Sequence, residues 1–144
     1  VTSFHTRGHV ALSGSFGYEL DLNKMSKEEK AMVKEQIADY HKYYSLTHEG
    51  TYYRLTSPGE RFCAWEFVDA EQNHALQTLV MISAEGNPLP VHIVVKGLSP
   101  DKYYCSLNGQ VYSGRTWMGA GLTLRVVPKE YESIFIEWNM VEKG

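Results

Sequence analysis

Tyr44-Ser45-Leu46-Thr47-His48-Glu49-Gly50-Thr51-Tyr52-Tyr53-Arg54-Leu55 is the stretch on which the fold turns. Before Gly50, apolar residues recur every three or four positions. After it they alternate every second position. The change of period predicts a helix that stops at Gly50 and strands from Thr51 onward. Reading upstream, Ser26 is a good N-cap and Glu29, three residues on, completes a capping box. Glu28 and Glu29 suit the positive end of the helix dipole, and Met25 precedes the cap. Met32, Val33, Ile37, Tyr40 and Tyr44 give one apolar stripe, with Lys30, Lys34, Glu35, Asp39 and Lys42 over much of the rest. A helix of about 20 residues spans about 30 Å, and its stripe must cover another element.

Downstream, eight segments read as strands: 51–56, 61–68, 75–83, 91–96, 103–107, 110–112, 122–127 and 133–140. The last alternates cleanly, with Ile134, Ile136, Trp138 and Met140 on one side. Ser57-Pro58-Gly59 and Ser99-Pro100-Asp101 are turn signals. Asn108-Gly109 calls for a type I′ hairpin turn. Leu98-Ser99-Pro100-Asp101-Lys102-Tyr103 resembles a tyrosine corner, in which a Tyr hydroxyl ties a loop to the following strand. Short strands at regular spacing predict an antiparallel all-β sandwich. Upstream of the helix, His9-Val10-Ala11-Leu12-Ser13 reads as a short strand. It ends in the glycine-rich turn Gly14-Ser15-Phe16-Gly17, and strand, loop and helix form a βα unit. A lone βα unit is not a domain, so the first third reads as the end of something larger.

Composition narrows the function classes. Of 144 residues, 43% are hydrophobic and 22% charged, which is ordinary globular usage. The net charge of -3 advertises no nucleic acid. No apolar window is long enough to span a membrane. Val1 to Gly8 lack the apolar core of a secretory leader. Cys63 and Cys105 read as two reduced, buried thiols, although spacing alone leaves a single bridge open. His5, His9, His41, His48, His74 and His92 form no ligand pattern, so no metal and no cofactor are expected. Gly14-Ser15-Phe16-Gly17 is not a nucleophile elbow. Gly119-Ala120-Gly121 lacks the helix of a dinucleotide loop and reads as a sheet-edge turn. Glu19 and Asp21 would share a face in a strand, but their place at a helix entrance points first to capping or solvated roles.

One run carries a family resemblance. Thr6-Arg7-Gly8-His9-Val10-Ala11-Leu12-Ser13-Gly14-Ser15-Phe16-Gly17-Tyr18-Glu19-Leu20-Asp21-Leu22 resembles a segment near the end of the family 36 glycoside hydrolases, the large microbial α-galactosidases of the raffinose and melibiose type. Gly50 to Leu55 is similar to that family's passage out of its barrel. Ala64-Trp65 and Met118 to Leu122 are similar to its carboxy-terminal sandwich. The resemblance implies an α+β fragment. Residues 1–50 would be the last strand and last helix of a catalytic (β/α)₈ barrel, and residues 51–144 an antiparallel β-sandwich domain.

The implied chemistry is retaining hydrolysis of terminal α-galactosyl groups by two aspartates, held about 5–5.5 Å apart in retaining enzymes. Those aspartates would lie on earlier barrel strands, so no residue here is assigned a catalytic role and this chain alone is expected to be inactive. The loop after the last barrel strand would face the active-site end. Gly14, Ser15, Phe16, Gly17 and Tyr18 are therefore the candidate supports of the sugar pocket.

The implied partners are α-galactoside oligosaccharides and further copies of the protein, in the cytoplasm, with no nucleic acid and no membrane. Two other readings stay open. One is an α-N-acetylgalactosaminidase of the same family. The other is a stand-alone sandwich that binds carbohydrate through exposed aromatics such as Trp65, Tyr104, Tyr112 or Trp117. Without a barrel to cover, the helix stripe is expected to self-associate or to leave a disordered amino-terminal segment, unless the helix docks on its own sandwich.

Overall fold

A computed structural model describes residues 2–84, 86, 87 and 89–143. Helix α1 (Phe4–Ala11) is followed by an irregular segment and a 3-10 turn (Leu22–Lys24), then by the long helix α2 (Lys27–Glu49). The strands are β1 (Thr51–Arg54), β2 (Phe62–Val68), β3 (His74–Met81), β4 (Val91–Ile93), β5 (Tyr103–Cys105), β6 (Val111–Ser113), β7 (Leu122–Leu124) and β8 (Ser133–Val141). A third helix, α3 (Gly114–Ala120), lies between β6 and β7.

The capping box at Ser26 is present in full: Glu29 N–H donates to Ser26 Oγ (3.1 Å) and Ser26 N–H donates to Glu29 Oε2 (2.8 Å). The helix ends at Gly50 as the sequence predicts. A Cβ there would meet the Leu46 and Val68 carbonyl oxygens at 2.3 and 2.8 Å, so the turn into β1 is too close for any side chain.

Every strand pairing is antiparallel. Six strands form one sheet in the order β1-β2-β3-β8-β5-β6, and β4 with β7 forms a second, two-stranded sheet. One face of the large sheet presents Ala64, Leu79, Ile136, Trp138 and Tyr104 to Val91 and Ile93 of β4, Leu122 of β7 and Trp117 of α3. Its other face presents Trp65, Phe67, Leu76 and Val80 to Tyr43 and Leu46 of α2. β2 and β3 are thus covered on both sides, which is why they read as nearly unbroken apolar runs. The helix therefore docks on its own sheet.

Several sequence expectations change. Residues 9–13 form no strand. His9 to Ala11 belong to α1, whose N-cap Ser3 accepts from the Thr6 N–H at 3.1 Å. A strand needs partners for its backbone groups, whereas a helix satisfies them internally. Thr6, His9 and Leu12, at spacings of three, give α1 its buried face. Among the described residues, 2–50 hold helices and no strand.

Gly119 and Ala120 end α3 rather than forming a sheet-edge turn. Ser113 caps that helix (Thr116 N–H to Ser113 Oγ, 3.2 Å), and Gly121 leaves it at φ +70°. Gly109 sits at φ +73° but Asn108 does not have positive φ. The hairpin is therefore a three-residue loop closed by Gly109 N–H to Ser106 O (3.0 Å) and Ser106 N–H to Gln110 O (3.2 Å), not a type I′ turn.

The tyrosine of the corner is Tyr104, one residue later than Tyr103. Its fully buried hydroxyl accepts from Ser99 N–H (2.9 Å) and donates to Gln72 O (2.7 Å). Tyr104→Phe leaves both backbone groups without that partner. Unfolding by urea is expected to show a loss of about 1–3 kcal/mol, and an unchanged midpoint would refute the tie.

Candidate functional site

The run 14–18 lies between the two amino-terminal helices. Along it, Phe16 and Tyr18 are half-buried while Ser15, Gly17 and Glu19 are exposed, which is the alternation of an extended chain. Phe16 stacks on Tyr40 of α2 with centroids 5.2 Å apart and meets Tyr18 edge-on at 5.2 Å. Tyr18 also stacks on Phe4 of α1.

Behind these rings Gln36, 5% exposed, ties three segments together. It accepts from the Tyr18 hydroxyl through Oε1, and its Nε2 donates to Phe4 O at 3.0 Å. Gly8 makes room for it, because a Cβ there would lie 2.3 Å from the carboxamide carbon. Burial raises the Tyr18 hydroxyl above its usual range and keeps it a donor. Gly14 and Gly17 have nothing within 4 Å of an added Cβ, whereas Gly8 is closely packed. A cavity of about 230 Å3 opens here, with Arg7, Tyr18, Glu19 and Gln36 in its lining.

Helix α1 is pinned to the sheet by polar contacts. Ser133 Oγ donates to Thr6 Oγ1 (3.0 Å) and lies 2.8 Å from His9 Nδ1. The His9 ring stacks on Phe135 at 3.7 Å. Burial, and secondarily the charge of His5, lowers the His9 pKa to about 4 and holds the ring neutral. Trp65 Nε1 donates to Ser13 Oγ at 2.6 Å.

At the far end of α2, Glu137 of β8 accepts from Lys42 Nζ (2.8 Å) and from the Tyr43 hydroxyl, and lies 3.3 Å from His74 Nε2. Burial alone would raise the Glu137 carboxyl, but the Lys42 and Tyr43 hydrogen bonds outweigh it and bring it down to about 2. Burial and the bond to Glu137 push the Tyr43 hydroxyl up to about 12.

The remaining candidates separate by exposure. Asp21 caps the 3-10 turn, accepting from Asn23 N–H at 3.0 Å. Glu19 is exposed at the cavity rim. Trp65, Tyr104 and Trp117 are buried, and only Tyr112 of the four named aromatics is open to solvent. Cys63 and Cys105 are free, half-buried thiols. Among the described residues no three His, Cys, Asp or Glu side chains are grouped to hold a metal, and no helix is long and apolar enough to cross a membrane. Sequence reading passed over Glu66, Glu137 and Gln36. Glu66 had a visible signal, a lone acid inside the apolar run Phe62 to Val68. Gln36 had none.

Two family models match the chain: melibiase over residues 1–50 and the glycosyl hydrolase family 36 C-terminal domain over residues 62–137. The bifunctional α-galactosidase/sucrose kinase AgaSK of Mediterraneibacter gnavus is 46% identical over 92% of this chain and 14% of its own length. The α-galactosidase AgaA of Geobacillus stearothermophilus is 39% identical over 99% of this chain and 20% of its own length. The chain thus spans about a fifth or less of these relatives.

Among solved structures, the galactosidase domain of AgaSK superposes with a TM-score of 0.91 over 98% of this chain and 20% of that one, at 43% identity. An α-galactosidase from Lactobacillus brevis superposes with a TM-score of 0.92 over 100% of this chain and 21% of that one, at 28% identity. A doubly substituted variant of AgaA has been crystallised in complex with stachyose. The domain model covers more than half of the residues and the relatives align through both helices and the sheets, so the chain belongs to glycosyl hydrolase family 36, with the family's C-terminal domain at residues 62–137.

Proposed function

We propose that this chain is the carboxy-terminal part of a retaining α-galactosidase that removes terminal α-galactosyl groups from melibiose- and raffinose-type oligosaccharides. In this reading residues 1–50 complete a catalytic barrel and residues 51–144 form the sandwich that braces it. The likeness that carries the reading is continuous. Relatives named as α-galactosidases align across α1, α2 and the sheet together, not over the sheet alone.

Three of the chain's acids have other tasks. Asp21 caps a turn, Glu137 is paired with Lys42, and Glu66 is sealed in the core. In this reading the carboxylate pair of the reaction comes from the earlier barrel strands that the family resemblance implies, outside this chain. The position of the last barrel strand passes from residues 9–13, of which 9–11 are helical and 12–13 form a turn, to the extended run Ser15 to Glu19. Phe16 and Tyr18 then face the helices, while Ser15, Gly17 and Glu19 face the barrel interior. The outer face of α2, with Ile37 and Tyr44 exposed, is the face left for the rest of the barrel.

The test is nitrophenol release from nitrophenyl α-galactoside by the full reading-frame product, beside the 144-residue chain. Turnover is expected only from the long product. Turnover by the chain alone overturns the assigned role, and silence from both overturns the activity.

A further inference from the structure

The face of the large sheet turned away from α1 and α2 carries a second opening. The β5–β6 hairpin, α3 and β7 enclose a groove of about 450 Å3, lined among others by Asn108, Gln110, Tyr112, Thr116, Thr123 and Arg125. That is within the range of about 300–1,000 Å3 typical of small-ligand clefts. Tyr112 is 44% exposed, yet its ring is not loose. It rests edge-on against Trp117 at 5.1 Å and 75°. Trp117 in turn donates Nε1–H to Tyr104 O (3.0 Å) and packs on Trp138 at 4.8 Å. A half-exposed aromatic ring thus stands on a buried, hydrogen-bonded stack.

The polar groups around it are partly prearranged. Ser106 Oγ donates to Asn108 Oδ1 and Asn108 Nδ2 donates to Gln110 Oε1, both at 2.8 Å. This occupies the Asn108 carbonyl with Ser106 and the Gln110 carbonyl with Asn108, and leaves the Gln110 N–H groups to donate outward. Thr116 Oγ1 is 3.0 Å from Ser113 Oγ. Arg125 has no carboxylate partner among the described residues, and no acid lines the groove.

A rigid ring face beside amide, hydroxyl and guanidinium donors fits the two sides of a pyranose. The apolar C–H face stacks on the ring, and the hydroxyl edge accepts from the donors. The Arg125 guanidinium adds planar N–H donors for hydroxyl oxygens. We propose that this groove is a carbohydrate-binding site for a neutral, galactose-substituted polysaccharide, separate from the cavity between α1 and α2. The site rests on the chain being part of a galactosidase only for the choice of sugar.

The test is native electrophoresis of the full reading-frame product through gels containing galactomannan. The parent is expected to be retarded. Tyr112→Ala is expected to weaken the retention constant at least about tenfold, as loss of an aromatic anchor does. Tyr112→Phe is expected to keep it, and hydrolysis of nitrophenyl α-galactoside is expected to stay at the parent level in both. Because Tyr112 touches Trp117, Arg125→Ala serves as a second variant on an exposed side chain, with a weakened retention expected. Equal retardation of the parent, Tyr112→Ala and Arg125→Ala overturns the site, as does a parent that runs unretarded. Hydrolysis is read separately, so failure of the groove and failure of the α-galactosidase reading are distinguishable.

Discussion

Replacing Trp138 by alanine is expected to remove about 3–5 kcal/mol of stability, the usual cost of emptying a large aromatic site in a packed core. Trp138 is fully buried on β8, which runs between β3 and β5. Its ring meets Trp117 at 4.8 Å and 71°, linking the large sheet to α3. The neighbours Tyr104 and Trp117 are themselves held by hydrogen bonds, so they have little freedom to collapse into the space. A typical domain has only about 5–15 kcal/mol in total. The loss reaches the candidate site because α1 docks on the same strand through Ser133 and Phe135. Urea unfolding of parent and variant measures it. Trp138→Phe should cost less, since Trp138 Nε1 has no hydrogen-bond partner to lose. A Trp138→Ala midpoint close to the parent's would show that the two sheets do not share one core.

Glu66→Gln is expected to change how stability depends on pH. Glu66 is fully buried in the middle of β2, opposite Gln77 of β3. Gln77 Nε2 donates to its Oε2 at 2.7 Å and Lys96 N–H at 3.4 Å, while Oε1 has no partner. Burial is the largest influence and raises the carboxyl to about 7, against the downward pull of Gln77 and the Lys96 backbone. Among the described residues Lys96 is the one cation acting on it, and its own ammonium is turned to Arg54 O.

The sign follows from proton counting. Between the unfolded value near 4.5 and about 7, the folded chain keeps a proton that the unfolded chain has released. The stabilisation is complete below that window and is lost as pH rises through it, by about 3 kcal/mol in all. Glutamine has the same shape and no proton to lose, so the variant should lack this decline and exceed the parent above pH 7. His9 works in the opposite direction. Its folded pKa near 4 lies below the ordinary 6.5, so its contribution grows as pH rises between those values. The difference between parent and variant cancels it. Unfolding free energies from pH 4 to 8 are the measurement, and parallel curves would refute a buried, protonated Glu66.

The legible and illegible parts of the chain divide along physical lines. The capping box at Ser26, the stop at Gly50 and the period-two strands were legible because each depends on residues within a few positions of one another. The face of α2 was not. The sequence stripe placed Ile37 and Tyr44 inward, yet both are exposed, and Val33, Gln36, Tyr43, Leu46 and Thr47 are the buried residues. A helix rich in aromatics all round offers two plausible faces, and only its partners choose between them. Gln36 is buried because Tyr18 and the Phe4 carbonyl meet it there, contacts separated by 18 and 32 residues.

The same limit hid α1. Its residues have no strong preference, so the docking of Thr6 and His9 on Ser133, more than 120 positions away, holds it as a helix. By itself the sequence determined the long helix, the antiparallel strands and the family. Their signals are short-range or carried by a contiguous run of residues. Only the tertiary structure decided which faces are buried, where the corner tyrosine stands and how the amino-terminal helices meet the sheet. Those outcomes depend on which distant groups can satisfy one another's hydrogen bonds and exclude water, and no local pattern records that.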